Sequence, residues 1–405
     1  MAQACQVDRA SEPRAHRKVL VVITEDWFAL SHFVPLLSEL VTRSDEVLVT
    51  TRSSGRLQEI EAFGVRSRHA DFGRGSLNPV RLARACGSLA RLIEQERPHV
   101  VHAIAMQTMV ITSLALASCK HRPGAVVLHL TGTGYIGQSR SPIATLLRPL
   151  ARASLGRCMS TQDTWLLAEN HDDLAELAAM GPMLPGRTEL IAGAGIDPAT
   201  HAVLPPPASE VPRVAFVGRM LVSKGVHVLV EAHRRLRDNG MHVDVALYGD
   251  ADNASRQAIQ RTTLDAWNAL PGIRWHGTTN DVARVWAESD IAVVPGLGGD
   301  GMPRTMLEAA ACGRPLIVTD VPGCRQFVRN GVEGFVVPPN DAYALAVAIA
   351  RLAGDSQLRT RMGAAARERV LAGYTTDSVR AAYRRVYARL AGPGALDPAK
   401  ASAPQ

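Results

Sequence analysis

Short runs of consecutive apolar, largely β-branched residues alternate along this chain with longer stretches whose apolar positions recur every three or four residues. In the first half, Val19–Thr24, Glu46–Thr50, Val100–Ala103 and Val126–Leu130 predict strands. Between them, Phe33–Thr42, Arg56–Ala62, Pro79–Glu96 and Thr108–Ser118 carry helical spacing. Alternation of this kind demands a parallel sheet covered by helices. A proline-rich stretch, 197–211, then breaks the pattern, which starts again beyond it. Strands are predicted at Val214–Val217, Asp244–Tyr248, Arg274–Trp275, Ile291–Val294 and Pro315–Val318. Helices are predicted at Val226–Asn239, Ser255–Ala269, Asp281–Ala287 and Thr305–Cys312, with three more at Asp341–Ala353, Ser356–Leu371 and Thr376–Leu390. The expectation is an α/β chain with two facing Rossmann-like domains and a cleft between them. Residues 18–204 form the first domain and 205–375 the second. A C-terminal helix at 376–391 is placed to cross back to the first domain, and 1–17 and 392–405 read as disordered tails.

Composition narrows the class. The chain has 405 residues, 46% of them hydrophobic and 20% charged, enough for two cores. No stretch approaches the roughly 20 apolar residues of a membrane span. The first eighteen residues lack the apolar centre of a secretory signal. Six widely spaced cysteines without a C-x-x-C pair argue for a reducing cytoplasm and against a disulfide framework or a zinc site. His99, His102, His129 and His276 show no metal-ligand spacing, so no metal and no resident cofactor is expected; His102 and His129, inside strands, read as hydrogen-bonded core residues. The net charge of +7 invites a nucleic-acid partner, but aromatics are only 4% and the arginines are dispersed, so none is expected. An anionic small substrate or an anionic membrane surface accounts for the charge equally well.

Two loops carry the candidate chemistry. Gly218, Arg219 and then Lys224 follow the strand Val214–Val217; Asp300, Gly301, Met302 and Pro303 follow Ile291–Val294 and lead to Glu308. Both emerge at the carboxyl ends of strands, where ligands of open α/β sheets bind. Gly218 lets the backbone approach a ligand. Arg219 offers a planar fork for phosphate oxygens, and Lys224 a second cation. Gly301 and Pro303 tighten the loop, and the helix starting near Thr305 presents free N–H groups to an anion. Asp300 is placed to accept from a sugar hydroxyl and Glu308 from a ribose, although a carboxylate in a first helical turn also serves as plain helix stabilisation. Gly249, after Asp244–Tyr248, joins the substrate-binding set, and Trp275, His276 and Gly277 border a nucleobase or simply pack. Arg219, Lys224 and Asp300 are the candidate catalytic residues.

These segments carry a family resemblance. G-R-M-x-x-S-K-G and D-G-M-P-R-T-M-L-E-A-A-A-C-G-R-P resemble the donor half of family-4 retaining glycosyltransferases, in particular bacterial enzymes that extend polyprenyl-diphosphate-linked glycans. Pro98–Ala103, Thr131–Tyr135, Glu169–Asp173, Gly193–Asp197 and Gly331–Pro338 sit in the family's order, so the likeness runs from about Lys18 to Leu390. It implies the GT-B fold, a nucleotide-sugar donor (UDP-linked), no metal requirement, and transfer with retention to a polyprenyl-diphosphate-linked glycan acceptor. It further implies that Arg219 and Lys224 hold the diphosphate and Glu308 the ribose. Asp300 stands where the family's first acid is usually Glu, shorter by one methylene. Gln326 replaces a frequent Glu, and Thr131 stands where distant members place a His.

On the acceptor side, Thr131, Gly132 and Gly134 follow a strand and offer backbone N–H groups to a phosphate, or form an ordinary glycine-rich turn. Trp27, Phe28, Ser31 and His32 are expected on the same cleft face. The stretch from Ile143 to Arg157 sets Leu146, Leu147, Leu150 and Leu155 against Arg148, Arg152 and Arg157. It suits an anionic membrane surface, peripheral on the inner face of the plasma membrane, or a packed Rossmann helix; Pro149 argues against one continuous interfacial helix. Two other readings stay open at this level: a nucleotide-sugar epimerase on the same fold, and a sugar-nucleotide-binding protein without turnover.

Overall fold

The computed structural model describes residues 18–390 other than 45, 74–77, 133–141, 162, 183, 204, 206, 208–209, 252–254 and 256, and the side chains of 142–144 are also excluded. Both expected tails, with Gly134, Ile143 and the rest of Thr133–Tyr135, therefore lie outside the described residues or side chains. Seven strands build the first sheet: β1 (Lys18–Glu25), β2 (Glu46–Arg52), β3 (Arg66–His69), β4 (Val100–Ile104), β5 (Ala125–Leu130), β6 (Thr164–Ala168) and β7 (Thr188–Leu190). They pair in the order β3-β2-β1-β4-β5-β6-β7, and every pairing is parallel. The second sheet holds β8 (Arg213–Val217), β9 (Asp244–Tyr248), β10 (Ile273–Gly277), β11 (Ile291–Val294), β12 (Leu316–Thr319) and β13 (Gly334–Val337) in the order β10-β9-β8-β11-β12-β13. Each order reverses beside its first strand, so each sheet has a crevice at the carboxyl ends of β1/β4 and β8/β11.

Burial explains the all-apolar strands. Every residue of β4, β5 and β6 is buried, because helices cover both sheet faces. Helix starts follow local chemistry: Asn78 caps Pro79–Glu96, Asp281 caps Val282–Ala287, Asp341 caps Ala342–Gly354 and Asp355 caps Ser356–Gly373, each side chain accepting from a first-turn N–H.

The chain passes between the two sheets twice at one point. Ile196 bridges Thr375 in parallel fashion, with Ile196 N donating to Tyr374 O and Thr376 N to Ile196 O. The last helix, Thr376–Leu390, then packs Val379, Ala382, Tyr383, Val386 and Tyr387 into the core beneath β1, β4 and β5. Each of the buried valines among them contributes about 1.5–3 kcal/mol. Glu39, buried on the helix Val34–Arg43, takes Arg384 of the last helix at 3.0 Å and its own Arg43 at 2.5 Å.

Three local expectations change. Pro149 does not break its segment: Pro142–Thr161 is one helix, with Pro149 on its exposed side, where its missing N–H borders water rather than core. The helix expected from Ser255 begins at Arg261, because 257–259 pair with the loop after β8, Val222 N donating to Gln257 O and Ile259 N to Met220 O. His102 and His129 are buried, but only His102 is hydrogen-bonded through its ring, to Tyr387 Oη at 2.8 Å; both ring nitrogens of His129 lack a partner among the described residues.

Candidate active site

At the end of β8 the backbone turns at Gly218, whose N–H donates to Tyr248 O at 2.9 Å. A 3-10 turn, Val222–Lys224, ends at Gly225 in the left-handed region, φ 70°, where a Cβ would stand 1.8 Å from Pro295 O. Glycine there lets the loop after β8 lie directly on the loop after β11. That contact delivers Lys224 to Asp300: Nζ and Oδ2 are 2.5 Å apart. Burial works against the charge of Asp300, but Lys224 and Arg219 outweigh it and hold the carboxyl below its ordinary range.

The opposite wall comes from the first sheet. Trp27, in the helix Asp26–His32, lies under Arg219, whose Cζ is 5.9 Å from the ring centroid. His32 follows, its Nδ1 at 2.7 Å from Ser31 Oγ and its ring 4.7 Å from Phe28. Burial first, then the charges of Arg304, Lys224 and Arg219, with Asp300 opposing, push the His32 imidazole down to about 3, so it is neutral at physiological pH. One histidine thus feels three cations and one carboxylate contributed by the other domain.

The Asp300 loop is docked mainly through backbone. Gly301 N donates to Thr131 O at 3.1 Å, and Gly301 O accepts from Asn170 Nδ2 at 3.0 Å. Met302 N donates to Glu169 Oε2 at 2.7 Å. Gly132 (φ 100°) meets the same loop so closely that a Cβ would stand 2.3 Å from Gly299 O. Pro303 occupies the N-cap position of the helix Arg304–Ala311 without a side-chain bond to it, and Thr305 is half-buried in the first turn. Glu308 is buried one turn in and accepts from Arg304 Nε at 2.7 Å, while Arg304 Nη1 reaches Ser31 O across the cleft. A second docking point lies alongside: His171 N donates to Gln326 Oε1 at 2.7 Å, and Arg325 pairs with Asp172 at 3.2 Å.

The structure therefore brings Arg219, Lys224, Asp300, Gly301, Met302, Pro303, Glu308, Thr131, Gly132 and His32 to one cleft. Gly249 lies beside Gly218 at the end of β9 and is occupied in packing, its O accepting from Trp275 Nε1 at 2.8 Å and its N donating to Gly277 O at 2.6 Å. His276 stacks on Tyr248 at 4.5 Å, on the same rim. Gly134 lies outside the described residues. Arg304, Glu169 and Asn170 were not among the sequence-level candidates. Arg304 directly follows D-G-M-P, and Glu169-Asn170 sits at the end of a short apolar run ahead of two acids, a helix-start signature. Among the described residues, no three His, Cys, Asp or Glu cluster as a metal site, and no helix is long and apolar enough to cross a membrane.

Comparison with known proteins accords with this geometry. Residues 31–160 match the model of the Glycosyltransferase Family 4 domain, and residues 211–355 that of Glycosyl transferases group 1. A relative in Campylobacter jejuni, N,N'-diacetylbacillosaminyl-diphospho-undecaprenol alpha-1,3-N-acetylgalactosaminyltransferase, is 23% identical over 89% of this chain and 96% of its own length. The exopolysaccharide phosphotransferase SCO2592 of Streptomyces coelicolor is 28% identical over 39% of this chain, which spans only 17% of that protein's length. Among solved structures, Anabaena Alr3699/HepE in complex with UDP superposes with a TM-score of 0.71 at 15% identity, over 92% of this chain and all of the other. A second structure of HepE contains UDP-glucose (TM-score 0.70, 15% identity, the same coverage). The fold is GT-B, and the chain is a glycosyltransferase that carries a Glycosyltransferase Family 4 domain and a Glycosyl transferases group 1 domain.

Proposed function

We propose that the chain moves a sugar from a nucleotide-sugar, UDP-linked, to a polyprenyl-diphosphate-linked glycan with retention of configuration. The observation that carries this reading is the Lys224–Asp300 pair at 2.5 Å, flanked by Arg219, Arg304 and the neutral His32 in one cleft. A diphosphate needs the cations, and a sugar hydroxyl needs the acid. The HepE complexes with UDP and UDP-glucose favour a uridine donor, and the Campylobacter enzyme favours a lipid-linked acceptor.

In this reading Arg219 and Lys224 take the diphosphate, and Glu308, already oriented by Arg304, takes the ribose. Asp300 receives a hydroxyl of the transferred sugar. The bond from the anomeric carbon to the diphosphate oxygen breaks as the acceptor oxygen bonds to that carbon from the same face, its hydroxyl proton passing to the departing diphosphate oxygen. Each group aimed at the departing charge lowers the barrier by about 3 kcal/mol. Thr131 and Gly132 are assigned to the acceptor phosphates. No divalent cation is invoked, and activity that survives chelation would accord with that. The helix Pro142–Thr161 buries Leu155, Cys158 and Met159 and exposes Leu146 and Leu150 beside Arg152 and Arg157, which suits peripheral contact with an anionic membrane face.

The test is release of free nucleotide from a panel of UDP-, GDP- and ADP-sugars, with and without a polyprenyl-diphosphate sugar, and the anomeric configuration of the product by NMR. Acceptor-dependent UDP release with a retained anomer supports the proposal. Release that ignores the acceptor, or an inverted product, rejects it.

A further inference from the structure

Glu169 directly follows the buried strand β6, and only 4% of the residue is exposed. Its Oε2 receives the Met302 N–H from the other domain at 2.7 Å, and a Cβ on Gly301 would lie 2.3 Å from that same oxygen. The neighbouring Asn170 is held in place by Asp173, through its Nδ2 to Oδ2 at 2.7 Å and from Asp173 N to its Oδ1 at 2.8 Å. Glu169 and Asn170 therefore grip two consecutive residues, Met302 by its N–H and Gly301 by its carbonyl, directly after Asp300. We propose that Glu169 is a positioning residue of the transfer reaction: by holding Met302 it fixes the loop that carries Asp300, and so sets where that carboxylate and Lys224 stand.

The electrostatics around Glu169 give the role a signature. The groups facing it are Asp173 from the helix His171–Ala178, Asp300 from the docked loop and Tyr383 from the last helix. Burial first, then the two aspartates, lift its carboxyl to about 8 against the single Met302 N–H, so Glu169 is uncharged at neutral pH. Above that range it ionises in the interior beside Asp300, whose negative charge is already committed to Lys224. A buried carboxylate charge beside that of Asp300 pushes the loop off its docked position. Glu169→Gln keeps an oxygen for Met302 and removes the ionisation. Glu169→Ala removes both.

The proposal rests on the nucleotide-sugar reading for its activity assay, so a second readout is independent of substrate. Nucleotide release would be followed from pH 6 to 10 for the full-length wild type, Glu169→Gln and Glu169→Ala, alongside hydrogen exchange of residues 299–303. At pH 7 the alanine variant is expected to lose at least tenfold in kcat with donor KM changed only a few-fold, and at least tenfold in protection of the Met302 amide. The glutamine variant is expected within about threefold of wild type, without the alkaline decline that wild type shows near pH 8. An alkaline limb that persists unchanged in Glu169→Gln overturns the proposal, as does wild-type kcat and amide protection in Glu169→Ala. Should the alanine variant not fold, the glutamine pH profile decides. If wild type releases nucleotide from no donor, the donor reading fails, and hydrogen exchange alone decides the role of Glu169.

Discussion

Replacing Gly132 by alanine attacks the contact between domains without touching either core. Its φ of 100° is strained for any L side chain, at about 1–3 kcal/mol, and that cost is the same whether the cleft is open or closed. The added Cβ is a different matter: it would stand 2.3 Å from Gly299 O, 2.5 Å from Gly301 N and 2.7 Å from the Asp300 carbonyl carbon. All three atoms are backbone of the other domain, so the overlap is relieved by separation. Separation breaks the bonds from Gly301 N to Thr131 O, Asn170 Nδ2 to Gly301 O and Met302 N to Glu169, each worth about 1 kcal/mol. The closed form is then disfavoured by roughly 3 kcal/mol, which corresponds to about a hundredfold loss of kcat/KM. Gly55 is the control: its φ is 103°, and no atom lies within 4 Å of a Cβ built there. Gly55→Ala should lower Tm by strain alone and leave turnover near wild type. Gly132→Ala should show a similar Tm change, the hundredfold loss, and a larger radius of gyration by small-angle scattering. Activity within twofold of wild type would refute the claim that this backbone contact assembles the site.

Three further outcomes are expected. Lys224→Ala and Glu308→Ala should each weaken nucleotide-sugar binding ten- to a hundredfold by calorimetry, about 1.5–3 kcal/mol for a hydrogen bond to a charged group, and unchanged affinity in both contradicts the proposed donor site. Glu169→Gln should stabilise the protein increasingly with pH: the folded chain keeps a proton up to about pH 8 that the unfolded chain releases near 4.5, so wild-type stability falls across that window by up to about 5 kcal/mol, and parallel Tm-versus-pH curves would count against the buried neutral acid. Arg384→Ala should cost about 1–2 kcal/mol at pH 7, since Arg43 still serves Glu39; because Arg384 and Arg43 overcome burial and hold that carboxyl below 4.5, the difference should vanish as acid protonates it, and a Tm gap that persists at pH 2 would exclude this pairing as its cause.

What the sequence made legible follows from where each residue's partner lies. Strands such as Ile291–Val294 and Asp244–Tyr248 were readable because burial on both faces leaves an uninterrupted apolar run. Arg66–His69 was not, since an exposed edge strand of Arg-Ser-Arg-His carries no apolar pattern, and Thr188–Leu190 is too short to show one. In the cleft, Arg219, Lys224 and Asp300 stood out as charges in glycine-bearing loops directly after strands. Arg304 and Glu169 look like an ordinary first-turn arginine and an ordinary loop acid. Their meaning comes from Ser31 O and Met302 N, backbone atoms more than a hundred residues away, and backbone partners leave no trace in side-chain pattern. The stacked pair Tyr248 and His276 is half legible for a different reason: His276 stands at a strand end, and its partner ring sits in the neighbouring strand, about thirty residues earlier in the chain.

The Lys224–Asp300 pair also bears on how the proposed donor would be accommodated. The two charges satisfy each other at 2.5 Å through Oδ2, which leaves Asp300 Oδ1 able to accept from a hydroxyl. In the proposed reading a diphosphate would draw Lys224 toward itself and turn Asp300 toward the sugar, so phosphate and hydroxyl recognition would be coupled through one exchange of partners. Asp300 in place of the family's usual Glu fits this economy, because its shorter side chain keeps the acid within reach of Lys224 from a loop whose backbone is already pinned at Gly301 and Met302. Free UDP, which supplies the phosphates without the sugar, should therefore bind by displacing Lys224 and leave Asp300 poorly compensated. Asp300→Asn should then tighten UDP while weakening a UDP-sugar. Equal weakening of both ligands would mean that the acid serves the phosphates through Lys224 and does not read the sugar.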